Sequence, residues 1–314
     1  MKTAIVAGGA GFIGSHLCEF LLKQNYKVIA VDNLITGAAK NINFLRQDPN
    51  FSFMELDINQ KLEELASFPI DEIYNMACPA SPRFFSSMPV FILKTSSTGH
   101  THLLELAKSK NAKILLASSS EVYGDSPLHP QEETNRGNVS SIGPRSCYDE
   151  GKRVAEALSM AYHKEYGVQT RIARIFNTYG PRMSFDDGRV IPNFFIQALT
   201  GKPLSIYGSG DQTRSLCYVS DMVKGLFLLM QSSEIMPVNL GNPDERSVLE
   251  ISKTVLDTCG KANELIFKVV PEDEPKKRKP DISKAEQVLK WSPHVDLAAG
   301  LSYCHSYFTT EMNR

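Results

Sequence analysis

The chain has 314 residues, of which 42% are hydrophobic, and its 34 Lys and Arg residues nearly balance its 35 Asp and Glu residues. A formal net charge of −1 gives no electrostatic footprint for nucleic acid or for an anionic membrane surface. The six cysteines are far apart and lack metal-ligand spacing, which indicates free thiols in a reducing compartment and no metal site. We therefore expect a cytoplasmic protein without a targeting segment or a membrane span.

Short apolar or β-branched runs alternate with longer helical patterns in the first half of the chain. In chain order, the predicted strands are TAIVAG (3–8), KVIAVD (27–32), FSFMEL (51–56), DEIYNMA (71–77), AKILLAS (112–118) and QTRIARIF (169–176). Helices are predicted at about 12–24, 90–110 and 147–166, the last with Ser146 as its N-cap and Gly167 as its stop. The alternation predicts an α/β fold with a Rossmann-type, doubly wound parallel sheet, because strands covered by helices on both faces read as nearly continuous apolar runs.

The texture of the chain changes after about residue 178. Segments punctuated by proline and glycine, such as YGPRM, GKPLSIYGSG and NLGNPDE, replace the regular alternation. We therefore predict a larger domain at 1–178 and a smaller, loop-rich C-terminal region at 179–314. We allow for the chain crossing back to the first domain.

A glycine-rich segment, AIVAGGAGFIGSHL, joins the first predicted strand to the first predicted helix. Gly8, Gly11 and Gly14 permit a tight turn and a close backbone approach, and the helix N-terminus offers unpaired N–H groups to a pyrophosphate. The next strand ends in Asp32, whose carboxylate can accept hydrogen bonds from ribose hydroxyls and repel a 2′-phosphate. The pattern predicts an NAD-binding domain at 1–178, with NAD favoured over NADP. The alternative for Asp32 is a solvated strand-end acid, and Asp57 either reaches the adenine edge or is a turn residue.

Tyr148 and Lys152 stand four positions apart in CYDEGKR, so they share one face of the predicted helix. Beside a nicotinamide, Lys152 and the oxidised ring are expected to lower the pKa of the phenol, which then acts as the base in an alcohol oxidation. The strand end LLASSSEVYGD supplies Ser119, Ser120 and Glu121 at the sheet edge where doubly wound sheets bind ligands. A serine-rich turn is the alternative for this strand end.

These motifs together resemble a known superfamily. GGAGFIG, SSSEVYG and YDEGK look like the extended short-chain dehydrogenase/reductases that act on nucleotide sugars. CPASP, SEVYGD, IGPRSCYDEGKR, RIFNTYGPRM, DDGRV and KRKPDI are similar to the UDP-glucuronate decarboxylase branch, over nearly the whole chain. The resemblance implies a catalytic triad of Ser119, Tyr148 and Lys152 on a bound NAD. It also implies decarboxylation of UDP-glucuronate to UDP-xylose through C4 oxidation, loss of CO2 from the 4-keto acid and re-reduction, in a homodimer formed by the helices at about 90–110 and 147–166.

The pair Ser120-Glu121 separates the branches of this superfamily. Sugar-nucleotide 4,6-dehydratases carry Asp-Glu here and epimerases usually lack the glutamate, so the Ser-Glu pair is similar to the decarboxylases. The alternative function is another NAD-dependent nucleotide-sugar 4-epimerase or 4,6-dehydratase, and the alternative role of Glu121 is to bond a neighbouring backbone group. A non-catalytic NAD-sensing protein is disfavoured because the chain retains the triad.

The resemblance also assigns the remaining contacts, with residues 179–314 as the nucleotide-sugar-binding region. The predicted catalytic residues are Tyr148, Lys152, Ser119, Ser120, Glu121 and Arg278. The predicted cofactor contacts are Gly8, Gly11, Phe12, Ile13, Gly14, Asp32, Asp57, Ala77, Tyr148 and Lys152. The predicted substrate contacts are Asn177, Arg182, Tyr207, Arg214, Arg278 and Asp281.

At some positions the residue differs from the one that is common in that family. Cys78 stands where serine is common and Ser96 where asparagine is common, and residues 83–88 also differ. These departures bear on cofactor affinity and on the identity of the sugar. In the basic run Lys276-Lys277-Arg278-Lys279, the three lysines are interpreted as a solvated loop.

Overall fold

The computed structural model describes residues 1–269 and 277–313. The strands are β1 Thr3–Ala7, β2 Lys27–Asp32, β3 Phe51–Glu55, β4 Glu72–Asn75, β5 Lys113–Ser119, β6 Thr170–Ile175, β7 Thr178–Tyr179, β8 Leu204–Tyr207, β9 Thr213–Ser215, β10 Cys217–Tyr218, β11 Val238–Leu240, β12 Glu245–Ser247 and β13 Leu265–Lys268. The α-helices are α1 Phe12–Lys23, α2 Pro89–Lys94, α3 His100–Lys110, α4 Ser146–Tyr166, α5 Val190–Leu199, α6 Val219–Gln231, α7 Val248–Cys259, α8 Ser283–Leu289 and α9 Leu297–Met312.

Seven strands form one parallel sheet in the order β11-β6-β5-β4-β1-β2-β3. Successive residues of β1 serve two separate cores: Ala4 and Val6 pack with α1 and α6, whereas Ile5 and Ala7 pack with α3. These four of the five β1 residues are 0% exposed, as expected for a strand covered on both faces. The predicted α/β fold with a doubly wound parallel sheet is confirmed.

The strand order reverses between β1 and β4. The loops that follow these two strands therefore diverge to opposite faces of the sheet and open a crevice at its carboxyl edge, which is where ligands of such sheets bind. The glycine-rich segment follows β1, and Ala77 and Cys78 follow β4. The sheet thus brings these two segments of the chain together.

The chain returns to the large sheet after residue 178. β11 pairs in parallel with β6 at the sheet edge, and α6 packs against β5 and β6. Three two-stranded sheets, β7 with β10, β8 with β13 and β9 with β12, make up the strands that lie outside the large sheet in the described ranges. The division at residue 178 stays a prediction, made with the return of the chain allowed for.

The predicted helices agree with the structure except at two points. The stretch predicted as one helix at 90–110 contains α2 and α3, with a π-helical turn over Thr95–Gly99 between them. α4 begins at Ser146 itself, so Ser146 as N-cap is wrong: Arg145 precedes the helix, and no side-chain cap forms there. Gly167 ends α4 in the left-handed conformation, with φ of 72°, as predicted.

Candidate active site

A cleft of about 940 Å³ lies at the carboxyl edge of the sheet and adjoins a smaller cavity of about 70 Å³. The predicted residues that line the larger cleft are Gly8, Gly11, Phe12, Ile13, Gly14, Ser119, Ser120, Glu121, Tyr148, Lys152, Asn177, Arg182, Tyr207, Arg214 and Arg278. The predicted residues that line the smaller cavity are Gly8, Gly11, Asp32, Asp57 and Ala77. The two cavities share Gly8 and Gly11, so they form one continuous site.

The glycine-rich loop makes a tight backbone cradle. Gly8 has φ of +78°, and a Cβ on it would lie 2.8 Å from the backbone nitrogen of Ala77. A Cβ on Gly14 would lie 2.0 Å from the carbonyl oxygen of Gly8, so α1 packs directly on the loop. Gly11 precedes α1 without a side-chain cap, which leaves the first N–H groups of the helix to another acceptor.

The Asp32 carboxylate is fixed at the end of β2 by backbone groups. Its two oxygens accept hydrogen bonds from the backbone nitrogens of Ala10 at 3.0 Å and Leu34 at 2.9 Å. Burial raises the pKa of Asp32, and these backbone donors counteract the effect. Asp57 accepts from the backbone nitrogen of Asn59 at 2.9 Å, which is a turn contact, although it also lines the smaller cavity.

Tyr148 and Lys152 face the cleft from α4. Lys152 Nζ donates to the Ala117 carbonyl oxygen at 2.8 Å and lies 5.6 Å from the centroid of the Tyr148 ring. The Phe85 ring stacks on Tyr148 at 5.1 Å between centroids. Burial raises the pKa of the Tyr148 phenol, and a hydrogen bond with Ser119 opposes the rise. The pKa of Tyr148 was predicted to fall through Lys152 and a bound nicotinamide. In the chain without cofactor it is raised instead, because desolvation of the phenol is the largest effect on it.

Glu121 lies between two arginines at the end of β5. Arg145 Nη2 donates to Glu121 Oε2 at 2.7 Å, and Arg278 Nη2 contacts the same oxygen at 3.3 Å. Arg278 is 4% exposed and also donates to the Gly124 carbonyl oxygen at 2.7 Å. Burial opposes ionisation of Glu121, but the two guanidinium groups prevail and lower its pKa to about 2. Glu121 is therefore ionised at neutral pH.

Two charged residues beside Glu121, Arg145 and Asp149, were given no role in the site by the sequence analysis. Asp149 is one helical turn from Arg145, with 3.7 Å between its Oδ2 and the Arg145 Nε. Burial, followed by the nearby Glu121 charge, raises the pKa of Asp149 to about 7. The i, i+4 spacing of Arg145 and Asp149 was the available sequence signal, but it also fits an ordinary surface pair.

A third missed residue, Arg189, lies in the segment before α5. It lines the cleft and forms a two-point ion pair with Asp187, one bond of which joins Nη2 to Oδ2 at 2.7 Å. The positive charge of Arg189 lowers the pKa of Tyr148, against the larger effect of burial. DDGRV was noted only as part of the family resemblance, so its arginine received no role.

The predicted substrate contacts differ in how freely their side chains can reach the cleft. Asn177, Tyr207 and Arg214 line the cleft, and Tyr207 is 41% exposed. Arg182 also lines it, but its guanidinium bonds Glu19 and lies 4.7 Å from the Phe44 ring centroid.

The predicted contact Asp281 lies elsewhere. Within the described residues it lines neither cavity. Its Oδ1 accepts a hydrogen bond from the backbone nitrogen of Ser283, at 2.8 Å, in the first turn of α8. Of the three lysines in the basic run, Lys277 is exposed and Lys279 is half-buried, and Lys276 lies outside the described residues.

Three further expectations concern the cysteine thiols, metal sites and membrane-spanning helices. All six cysteines are free thiols. Across residues 1–269 and 277–313, no group of three or more His, Cys, Asp or Glu side chains could hold a metal ion. No helix in the same ranges has both the length and the apolar content needed to cross a membrane.

Comparison with known proteins gives close relatives. The model of the GDP-mannose 4,6 dehydratase family matches residues 5–303. UDP-glucuronic acid decarboxylase 1 of Xenopus tropicalis is 47% identical over 99% of this chain and 73% of its own length. UDP-glucuronic acid decarboxylase 3 of Arabidopsis thaliana is 47% identical over 98% of this chain and 90% of its own length.

A solved structure agrees in fold over the same length. The UDP-glucuronic acid 4-epimerase from Bacillus cereus, in complex with UDP-glucuronic acid and NAD, has a TM-score of 0.89 at 32% identity and covers 99% of this chain and 100% of its own. The resemblance inferred from the motifs is confirmed by these matches. The chain belongs to the extended short-chain dehydrogenase/reductase superfamily, in the GDP-mannose 4,6 dehydratase family and its group of UDP-glucuronic acid decarboxylases.

Proposed function

We propose that this chain is an NAD-dependent UDP-glucuronate decarboxylase that forms UDP-xylose and CO2. The observation that carries the proposal is the meeting of Tyr148, Ser119 and the Glu121–Arg278 ion pair in one cleft. The first pair suits oxidation of a sugar hydroxyl, and the charged pair suits a substrate that carries a carboxylate. The relatives named for this reaction, at 47% identity over nearly the whole chain, support the same activity.

The residues around the smaller cavity fit NAD. The cradle formed by Gly8, Gly11 and Gly14 leaves no room for a side chain at Gly8 and Gly14 and little at Gly11, and it directs the N-terminus of α1 towards a pyrophosphate. The Asp32 carboxylate retains lone pairs for ribose hydroxyls, and as an anion it repels the 2′-phosphate of NADP. When bound, NAD supplies a hydride acceptor for C4 of the sugar and later returns the hydride.

Tyr148 and Ser119 act at the C4 oxygen of the sugar. The Tyr148 phenolate takes the proton of the C4 hydroxyl, and Ser119 donates a hydrogen bond to the same oxygen. Lys152 is held by the Ala117 carbonyl, so its ammonium charge stays near the phenol ring. Because burial raises the pKa of Tyr148, ionisation of the phenol depends on positive charge near it, including that of Arg189, once the Ser119 hydroxyl donates to the sugar oxygen instead of to Tyr148.

Oxidation at C4 makes the sugar a β-keto acid, which loses CO2 readily. The electron pair of the broken bond moves into the C4 carbonyl, where Tyr148 and Ser119 stabilise the developing negative charge. Glu121 remains ionised because its pKa is about 2, so we assign it the role of orienting Arg278 towards the sugar rather than of donating a proton. C5 then receives a proton that originates in solvent.

The larger cleft holds the rest of the substrate in this proposal. Arg214 and Asn177 bind the diphosphate, Tyr207 borders the uracil, and Arg182 closes the side of the cleft near α1. Asp281 lines neither cavity in the described residues, so no substrate contact is proposed for it. Residues 1–178 then form the NAD-binding domain, and most substrate contacts come from 179–314, with β11 and α6 returning to the first domain.

We also propose a homodimer formed through α2, α3 and α4. Its support is a set of exposed apolar side chains on helices α2 and α4, which pack together: Val90 is 64% exposed, Leu93 41% and Val154 41%. The molar mass by light scattering should be twice that of one chain, and a monomer at working concentration contradicts the proposal.

The free thiols support a reducing, cytoplasmic location.

A 4-epimerase is the second candidate, favoured by the fold match to the Bacillus cereus UDP-glucuronic acid 4-epimerase. Mass spectrometry of the product of UDP-glucuronate distinguishes the two. The decarboxylase forms a UDP-pentose and CO2 without net NADH, whereas the epimerase forms an isomer of unchanged mass. A product that keeps its carboxylate refutes the decarboxylase proposal.

A further inference from the structure

The residue before α4 makes the shortest hydrogen bond to Glu121. Arg145 Nη2 lies 2.7 Å from Glu121 Oε2, whereas the contacts of Arg278 to Oε2 and Oε1 are 3.3 Å and 3.5 Å. The shortest bond of Arg278 goes to the Gly124 carbonyl oxygen instead, at 2.7 Å. Arg145 therefore helps to set the orientation of the Glu121 carboxylate, together with Arg278, through the shortest of these three contacts.

The same guanidinium lies against the ring that packs on the proposed base. The central carbon of Arg145 is 5.3 Å from the centroid of the Phe85 ring. Phe85 in turn stacks on Tyr148, with 5.1 Å between centroids and 16° between planes. Phe85 is 5% exposed and Tyr148 7%, so neither ring can move without its neighbours. A cation over an aromatic face is attractive, and Arg145 therefore restrains this stack.

A second acidic side chain, Asp149, also lies near Arg145. Its Oδ2 lies 3.7 Å from Arg145 Nε, on a different nitrogen from the one that bonds Glu121. The side chain is 9% exposed, and its Oδ1 has no hydrogen-bond partner among the described residues. Acidic side chains thus stand near two different nitrogens of the Arg145 guanidinium, with a hydrogen bond to Glu121 and a longer contact to Asp149.

We infer that Arg145 is a positioning residue of this site, which holds the Glu121 carboxylate and the Phe85–Tyr148 stack in the arrangement needed for decarboxylation. It acts through these neighbours and needs no contact with the reacting atoms. The inference rests on the proposed function, because Glu121 and Tyr148 take their roles from it. It adds a residue that joins the oxidising and decarboxylating parts of the site.

The test is the steady-state kinetics of the NAD-saturated enzyme with UDP-glucuronate, with kcat and KM measured separately. Arg145→Gln should lower kcat about 10- to 100-fold, the effect of losing a charge-assisted hydrogen bond, while KM changes less than about threefold. Arg145→Lys keeps the charge and should recover part of the loss.

The matched control is Arg153→Gln. Arg153 lies on the same helix and donates to the carbonyl oxygens of Val122 at 3.2 Å and Arg136 at 2.7 Å, but it does not line the cleft. Its kcat should stay within about twofold of wild type. Thermal unfolding of every variant, with NAD bound, separates loss of activity from loss of folding.

Three outcomes overturn the inference: wild-type kcat in a folded Arg145→Gln, a change confined to KM, or an equal fall in kcat for Arg145→Gln and Arg153→Gln. If Arg145→Gln does not fold, Arg145→Lys decides, and wild-type kcat in that folded variant overturns the inference. A wild-type enzyme that forms no UDP-pentose refutes the proposed function instead, so the two failures are distinguishable.

Discussion

Replacing Glu121 with glutamine removes one negative charge from between two guanidinium groups. The pKa of Glu121 falls from the ordinary 4.5 to about 2 in the folded chain, and this difference corresponds to about 3 kcal/mol of stabilisation of the ionised form. Arg278 is only 4% exposed, so solvent cannot replace the lost partner. Glu121→Gln should therefore lower the free energy of unfolding by about 3 kcal/mol at pH 7.

The assay is urea unfolding of both proteins at the same saturating NAD concentration, because bound cofactor itself adds stability. The pKa of Glu121 is lower in the folded than in the unfolded chain. Its contribution to the free energy of unfolding is therefore fully present above pH 4.5 and is lost as pH falls through about 2. The gap between wild type and variant should shrink to roughly half of its neutral-pH value at pH 3.

The control is Asp244→Asn. Asp244 pairs with Arg246 at 3.0 Å, but both side chains are about half exposed, at 47% and 50%, so its change should be at most about 1 kcal/mol. A Glu121→Gln effect as small as that of the control, or one that does not vary with pH, would refute the reasoning.

Further predictions concern the base, the loop and the second acid. Tyr148→Phe should abolish product formation while NAD binding is retained, and near wild-type turnover would place the base elsewhere. Gly14→Ala puts a Cβ 2.0 Å from the Gly8 carbonyl oxygen, so it should weaken NAD binding measured by calorimetry, by about 1–3 kcal/mol; unchanged affinity contradicts the cradle. Burial raises the pKa of Asp149 from 3.8 to about 7, so wild type loses stability as pH rises between those values. Asp149→Asn should stabilise by about 2 kcal/mol at pH 5 and about 4 kcal/mol at pH 8, and a gap independent of pH refutes this.

The parts of the fold that depend on local pattern were predictable. The six predicted strands each overlap a strand of the large sheet, because nearly continuous apolar runs are required where helices cover both faces. The glycine spacing at Gly8, Gly11 and Gly14 was equally informative, since backbone contact admits no side chain at Gly8 and Gly14. The start of α4 was misplaced by one residue because Ser146 has the composition of an N-cap but lies inside the helix.

The electrostatics of the site depend on contacts that no local pattern contains. Glu121 and Arg278 are 157 positions apart in the chain, and only the fold brings them together. Arg145 could be assigned no role from sequence, because its importance comes from meeting Glu121 and Phe85 at once. The burial that opposes ionisation of Tyr148 was absent from the sequence prediction for the same reason, since desolvation is a property of the folded protein.

The central claim is most directly tested with UDP-glucuronate labelled isotopically at its carboxyl carbon, incubated with the enzyme in heavy water. The label should leave as CO2 while the UDP-pentose gains one deuterium at C5, with no net NADH. A nucleotide sugar that retains the carboxyl label, whatever its configuration at C4, would contradict it.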